Sequence, residues 1–319
     1  MHCLQSASWA ASTSDAQRVS TGCRDLDSGG ETNSTMFRNI LVLLGPACSN
    51  PAGAEFSVKF ASRYGASLTG LYVRPTFPPV SSVGSPILVP PMDGVEIGRP
   101  STDLEKITEF NLRQVTLEER TLESFLEEAS RAGVRASVKT VTPDPGEPLA
   151  AHVGARDMLV VGRSDDEEQL LGSVIRPLAR LLPVLTVARL SEPIDRIAVA
   201  YDGSPGADRA LSAAADIASH MLSDTQIRTV HLLHVARDPT PAPELLEAAR
   251  SYLDSYGIKP TVQVTTGAVA EGLCALATER RVGLLCIGAY GHSLVREVLV
   301  GSTTQAVLNR WRGPLLLCH

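Results

Sequence analysis

The sequence predicts an α/β protein: two doubly wound domains, each built on a five-stranded parallel sheet, arranged as a pseudo-twofold tandem. Short runs rich in Val, Ile and Leu alternate with segments of helical period, the signature of βαβ units whose strands are buried on both faces. The order of elements then repeats: "RIAVAYDG" opens the second half as "NILVLLGP" opens the first, and "PVLTV" and "GPLLL" close the two halves alike. A chain of 319 residues with 44% hydrophobic residues is also long enough and apolar enough for two cores.

The segment before Met36 is rich in Ser, Thr, Gly and Asp and has no hydrophobic period. Residues 1–36 are therefore expected to be a disordered N-terminal extension, with Met36 a second candidate start of translation. A first domain is expected over 37–190. Its strands are "NILVLL" (39–44), "SLTGLYV" (67–73), "RASVKTV" (135–141), "DMLVVG" (157–162) and "VLTVAR" (184–189). Phe56, Phe60 and Tyr64 mark one face of a helix between the first two strands. After the Pro-rich stretch 74–100, expected to be a long surface loop, Thr102 and Glu105 form a capping box that opens a helix reaching about residue 131.

The linker "LSEP" leads to a second domain over 194–319. Its strands are 196–203, 229–235, 261–266, 282–288 and 314–318, with helices near 206–221, 241–256, 269–280 and 302–311. Ser204 is an N-cap followed by Pro205 at the first helical position. Ala210, Leu211, Ala214, Ile217, Ala218 and Met221 then form one apolar stripe.

A net charge of -6 and a pI of about 5.7 argue against a general nucleic-acid binder. No apolar run approaches membrane-spanning length, and the first residues lack the features of a secretory signal. Six cysteines without a C-x-x-C pair read as reduced thiols in a cytoplasmic protein. His231 and His234, three apart on a strand, face opposite sides and cannot share a metal. His292 and Arg296 are the basic side chains of the loop that follows the fourth strand of the second half.

In open α/β sheets a ligand lies beyond the carboxyl ends of the strands, where strand order reverses. In the second half that edge holds Asp202, after strand one, and "GAYGHSLVREVLVGSTTQ", after strand four. Gly288 and Gly291 leave room for a close backbone approach to a ligand. Ser302, with Gln305 three residues on, reads as a capping box whose helix start suits phosphate oxygens. Asp202 can accept hydrogen bonds from ribose hydroxyls. There is no G-K-[ST], so this is not a Walker loop.

The spacing Gly288, Gly291, nine residues, Gly301-Ser302 resembles the ATP-binding motif of the universal stress protein family, and "VAYDGS" and "LLHV" are similar to that family's other signatures. The resemblance covers nearly all of 37–319 as a tandem, in the adenine nucleotide α-hydrolase-like fold. It implies an adenine nucleotide, ATP with or without Mg, bound in the second domain. Asp202 would lie near ribose, Val235 near adenine, and Gly288, Gly291, Gly301, Ser302 and Thr303 around the triphosphate. It also implies pairing of the two last strands, here within one chain as an intramolecular pseudo-dimer.

The first half departs from that pattern. Gly45 stands where the second half has Asp202, Asp165 stands at the place of Gly291, and only six residues precede Gly172-Ser173. Four consecutive acids, Asp165 to Glu168, would repel a triphosphate. One binding half and one structural half are expected. The leading functional expectation is a stress-response protein that binds ATP and acts through conformation or an unknown protein partner. An adenylating or slowly ATP-hydrolysing enzyme, or a nucleotide-free scaffold, are the competing readings.

Overall fold

The computed structural model describes residues 18–19, 35–45, 50–74, 101–141, 153–154, 157–163, 178–179, 181–189, 194–222, 229–236, 243–289 and 302–319, with the backbone alone at 18–19, 101–111, 222 and 243. In chain order the first half comprises β1 (Arg18–Val19), β2 (Asn39–Leu44), α1 (Ala52–Tyr64), β3 (Ser67–Val73), α2 (Ser101–Arg131), β4 (Ala136–Val141), β5 (Asp157–Gly162) and β6 (Val184–Val187). The second comprises β7 (Arg196–Ala200), α3 (Pro205–Leu222), β8 (Thr229–Ala236), α4 (Pro243–Ser255), β9 (Thr261–Thr266), α5 (Val269–Glu279), β10 (Leu284–Gly288), α6 (Ser302–Arg310) and β11 (Leu315–Cys318).

The helices form where the apolar spacing places them. Phe56, Phe60 and Tyr64 stack along α1 with ring centroids 5.5 and 5.3 Å apart, all buried against the sheet. At α3, the Ala207 amide donates to Ser204 Oγ at 3.2 Å, the N-cap that the sequence predicts. The whole stripe from Ala210 to Met221 is buried. α2 starts at Ser101, one residue ahead of the expected cap. The linker "LSEP" and the Pro-rich stretch 75–100 lie outside the described residues.

The strands form one 11-stranded sheet in the order β1-β4-β3-β2-β5-β6-β11-β10-β7-β8-β9. Leaving out β1, each half has its strands in the order three, two, one, four, five, and the second half is the mirror of the first along the sheet. Pairing is parallel within each half and antiparallel at the seam, where Leu315, Leu316 and Leu317 of β11 face Thr186, Leu185 and Val184 of β6. β1, within the segment expected to be disordered, pairs antiparallel with Ser137 and Val138 of β4.

Each face of the sheet carries a core. Ile40, Val42, Leu185, Leu316, Val199 and Leu232 point to the side covered by α1 to α4. Leu41, Val184, Leu317, Ala198 and Leu233 point to the other, covered in the second half by α5 and α6. Both cores run unbroken across the seam, so the halves share their hydrophobic interior. Polar ties reinforce the join. The Met36 amide donates to both carboxylate oxygens of Asp216 on α3 at 3.2 Å, and the Tyr64 hydroxyl of α1 donates to the same carboxylate. The Arg163 guanidinium donates to the Trp311 carbonyl.

Candidate functional site at the carboxyl ends of the second-half strands

The strand order reverses between β7 and β10 in the second half, because β8 and β9 lie on one side of β7 and β10 and β11 on the other. This is the crevice where a doubly wound sheet takes its ligand. Asp202 stands there two residues past β7, exposed, with its Oδ1 accepting the Ser204 amide at 3.0 Å. That bond turns the chain into α3.

Val235 lies near the end of β8, half-buried, on the same side as Leu233 and therefore on the face covered by α5 and α6. α5 passes close over it. A Cβ added to Gly272 would sit 3.2 Å from Val235 Cγ2 and 2.9 Å from Thr265 Cγ2. The first residues of α6, Ser302 and Thr303, are exposed, while Thr304, Val307 and Leu308 anchor the helix to the same face. Arg310 near its other end pairs with Glu271 of α5 at 2.8 Å. Asp202, Val235 and the start of α6 therefore share one end and one face of the sheet. Gly291 and Gly301 lie outside the described residues.

Two sequence expectations change in their physical reason. At Gly288, the last residue of β10, the missing side chain would point toward α3. A Cβ there would lie 2.6 Å from Ala207 N and from Gly206 C, so its small size admits the first turn of α3. Gly206 answers it from the helix, with an added Cβ 3.2 Å from Gly288 Cα. The first half repeats this contact between Gly53 of α1 and Gly162, an added Cβ at Gly53 falling 2.4 Å from Gly162 N. Ser302 is the first helical residue of α6 rather than the residue before the helix, and Gln305 Nε2 donates forward to Asn309 Oδ1 at 3.0 Å. Ser302 thus presents its hydroxyl from within the first turn.

The sequence reading missed what stands behind Asp202. His234 Nδ1 donates to the Tyr201 carbonyl at 2.7 Å, and the Tyr201 hydroxyl donates to Asp208 Oδ1 at 2.7 Å. Burial first, and Asp208 second, push the Tyr201 phenol up to about 12, so it stays a neutral donor. These bonds fix the chain just before Asp202 on the opposite face. The signal was present in "YDG" and "LLHV", but nothing in one strand shows which residue of the next it meets.

In the first half the register aligns Leu41 with Ala198, Gly45 with Asp202 and Tyr72 with His234. Gly45 has a φ of 97°, and a Cβ there would lie 2.9 Å from the Tyr72 ring. An aspartate there is disfavoured by both the backbone and the ring.

Fold and crevice together define a tandem of two doubly wound α/β units of the adenine nucleotide α-hydrolase-like class. The sequence model of the universal stress protein family matches residues 36–188 and 193–319, and the chain belongs to that family. It is 27% identical over 169 residues to universal stress protein Slr1230 of Synechocystis, a match that takes in 51% of this chain and 58% of that protein, little more than half its length. Among solved structures, a universal stress protein from Archaeoglobus fulgidus superposes with a TM-score of 0.62 at 20% identity, over 89% of this chain and 97% of the other. A functionally unknown protein from Pseudomonas aeruginosa superposes at 0.52 with 17% identity, over 88% and 92%. Among the described residues no helix is long and apolar enough to cross a membrane.

Proposed function

We propose that this universal stress protein binds one adenine nucleotide, ATP, in its second half and acts in the cytoplasmic stress response through the conformation or partner that the nucleotide favours. The observation that carries the reading is the difference between the two strand ends that the sheet register matches. Asp202 is exposed at one, whereas Gly45 lies under Tyr72 at the other. A position that only turned the chain would not need a carboxylate in one copy and disfavour it in the other.

The residues fit the group. Asp202 would accept from ribose hydroxyls, and Val235 would lie beside the base. The hydroxyls of Ser302 and Thr303, with the free amides of the first turn of α6, would hold phosphate oxygens. Gly291 and Gly301 complete the loop in this reading. Gly288 contributes indirectly, by letting α3 start close to β10. Any magnesium would arrive on the triphosphate. The site so formed would hold and orient a nucleotide.

Native mass spectrometry of the purified chain tests this. A mass increment of one adenine nucleotide, lost in Asp202→Ala, is the expected result. A bare chain that takes up no ATP on titration would overturn the reading.

A further inference from the structure

The first half holds a crevice on the sheet face opposite to the nucleotide region. It is a cavity of about 620 Å³ over Leu44 and Gly45 at the end of β2, walled by Pro51 just before α1, by Ala54 of α1 and by Thr121 and Phe125 of α2. Its volume lies within the range of roughly 300–1,000 Å³ of small-molecule sites.

The second half supplies an internal control. α2 and α4 end alike: the amides of Val134 and Ile258 donate to Ala129 and Leu253, five residues back, at 2.9 and 3.0 Å. Counting back from these bonds pairs Thr121 with Leu245, Ser124 with Ala248 and Glu128 with Tyr252. Leu245 reaches down onto the end of β7, its Cδ1 2.5 Å from where a Cβ on Gly203 would be. Tyr252 ties α4 to α3, its hydroxyl donating to Ser212 Oγ at 3.1 Å. The residue that reaches the chain after β7 and the residue that ties α4 to α3 in the second half are thus a threonine and a glutamate in the first, and among the described residues the space between α1 and α2 stays open there. The first half thus has an open, polar-rimmed crevice at a place where the second half carries a leucine and a tyrosine packed against the core.

The lining sets the ligand's chemistry. Leu44, Ala54 and Phe125 offer an apolar floor and wall. Glu55 pairs with Lys59 at 2.5 Å on the exposed side of α1. Arg120 is the basic residue of the lining, and Glu128 follows it by two helical turns, about 12 Å along the axis. We propose that this crevice is a second ligand site, independent of the nucleotide site, which takes a small amphipathic acid with its apolar body between α1 and α2 and its anionic head at Arg120.

Fluorescence titration of the full chain with anilinonaphthalene sulfonate, a fused-ring sulfonate of that shape and charge, tests it. Saturable binding to one site is expected. Thr121→Leu, which installs the side chain the second half carries, and Ser124→Trp should each weaken it at least tenfold, and Arg120→Glu should do the same. Ala248→Trp, at the matching place in the second half, should leave it unchanged. ATP at saturation should not displace the probe, so failure of the nucleotide reading leaves this result standing. Absence of saturable binding, equal loss in Ala248→Trp, or retention in both Thr121→Leu and Ser124→Trp would overturn the proposal. Melting curves with the wild-type transition establish that the variants are folded.

Discussion

Leu185 and Leu316 lie opposite each other in the antiparallel ladder that joins the two halves, and both are fully buried. Neither belongs to a core of its own half alone. The seam is a pair of adjacent strands inside one sheet, with side chains from α1 and α3 closing over it.

Placing a charge at that seam should loosen the halves together. Leu316→Ala is expected to cost about 2–5 kcal/mol, as for other buried leucines. Leu316→Asp should cost more, because its carboxylate has no partner there. Denaturant unfolding reads the first, and small-angle scattering of the second should show an expanded particle. Two freely tumbling domains in the unmodified protein would contradict the seam.

The glycine pair at α3 and β10 predicts a steric effect distinct from ligand loss. Gly288→Ala drives a Cβ into the backbone of Gly206 and Ala207, which cannot move aside as a side chain would. A loss of about 1–3 kcal/mol is expected. Gly291→Glu should do the reverse: ATP binding is lost to charge repulsion while the melting temperature stays near wild type. Calorimetry and thermal melts on both variants separate the two effects.

Stoichiometry follows from the two crevices. Titration calorimetry is expected to give one ATP per chain, weakened in Asp202→Ala by about 1.5–3 kcal/mol, the scale of a charged hydrogen bond. Tyr72→His with Gly45→Asp should not create a second site, because the acids at 165–168 remain. Two equivalent sites in the wild-type chain would contradict this.

His231 makes stability depend on pH. Its ring is buried, with Nδ1 and Thr261 Oγ1 2.6 Å apart. Burial first, then the nearby Arg280 and Arg196, hold its pKa below the usual 6.5. The folded protein therefore keeps the ring neutral where the unfolded chain already binds a proton. Stability is full above about pH 6.5 and falls as pH drops from there toward the depressed folded value. Unfolding midpoints across this window should decline in the wild type and flatten in His231→Gln.

Glu118 acts in a separate, more acidic window. Burial pushes its carboxyl up, but Arg74 at 2.8 and 3.0 Å and the Thr140 hydroxyl at 2.8 Å outweigh that and hold it below the usual carboxylate range. Its stabilisation is present above the unfolded value near 4.5 and is lost as pH falls through the lower folded value. Glu118→Gln should remove that part of the acid-induced loss without affecting the step assigned to His231.

The sequence by itself determined the strands, the helices, their repeat and the family, because each of these is written in local terms. A buried parallel strand must be a run of apolar residues, α3 shows its stripe at helical spacing, and Ser204-Pro205 marks a helix start without reference to anything distant. It also placed Asp202 and Ser302 near a strand end and a helix start. The tertiary structure alone decided what faces what. Gly288 reads as room for a ligand until Gly206 is seen behind it, since a glycine's neighbours come from other elements. Tyr72 disfavours an aspartate at position 45 only because β2 and β3 pair in that register. The crevice between α1 and α2 is lined by Thr121 and Glu128, and only the matching helix ends show that Leu245 and Tyr252 hold those places in the other half. Period and propensity act over a few residues and survive in one dimension. Steric contact and packing act between residues far apart in the chain, and only the folded arrangement brings them together.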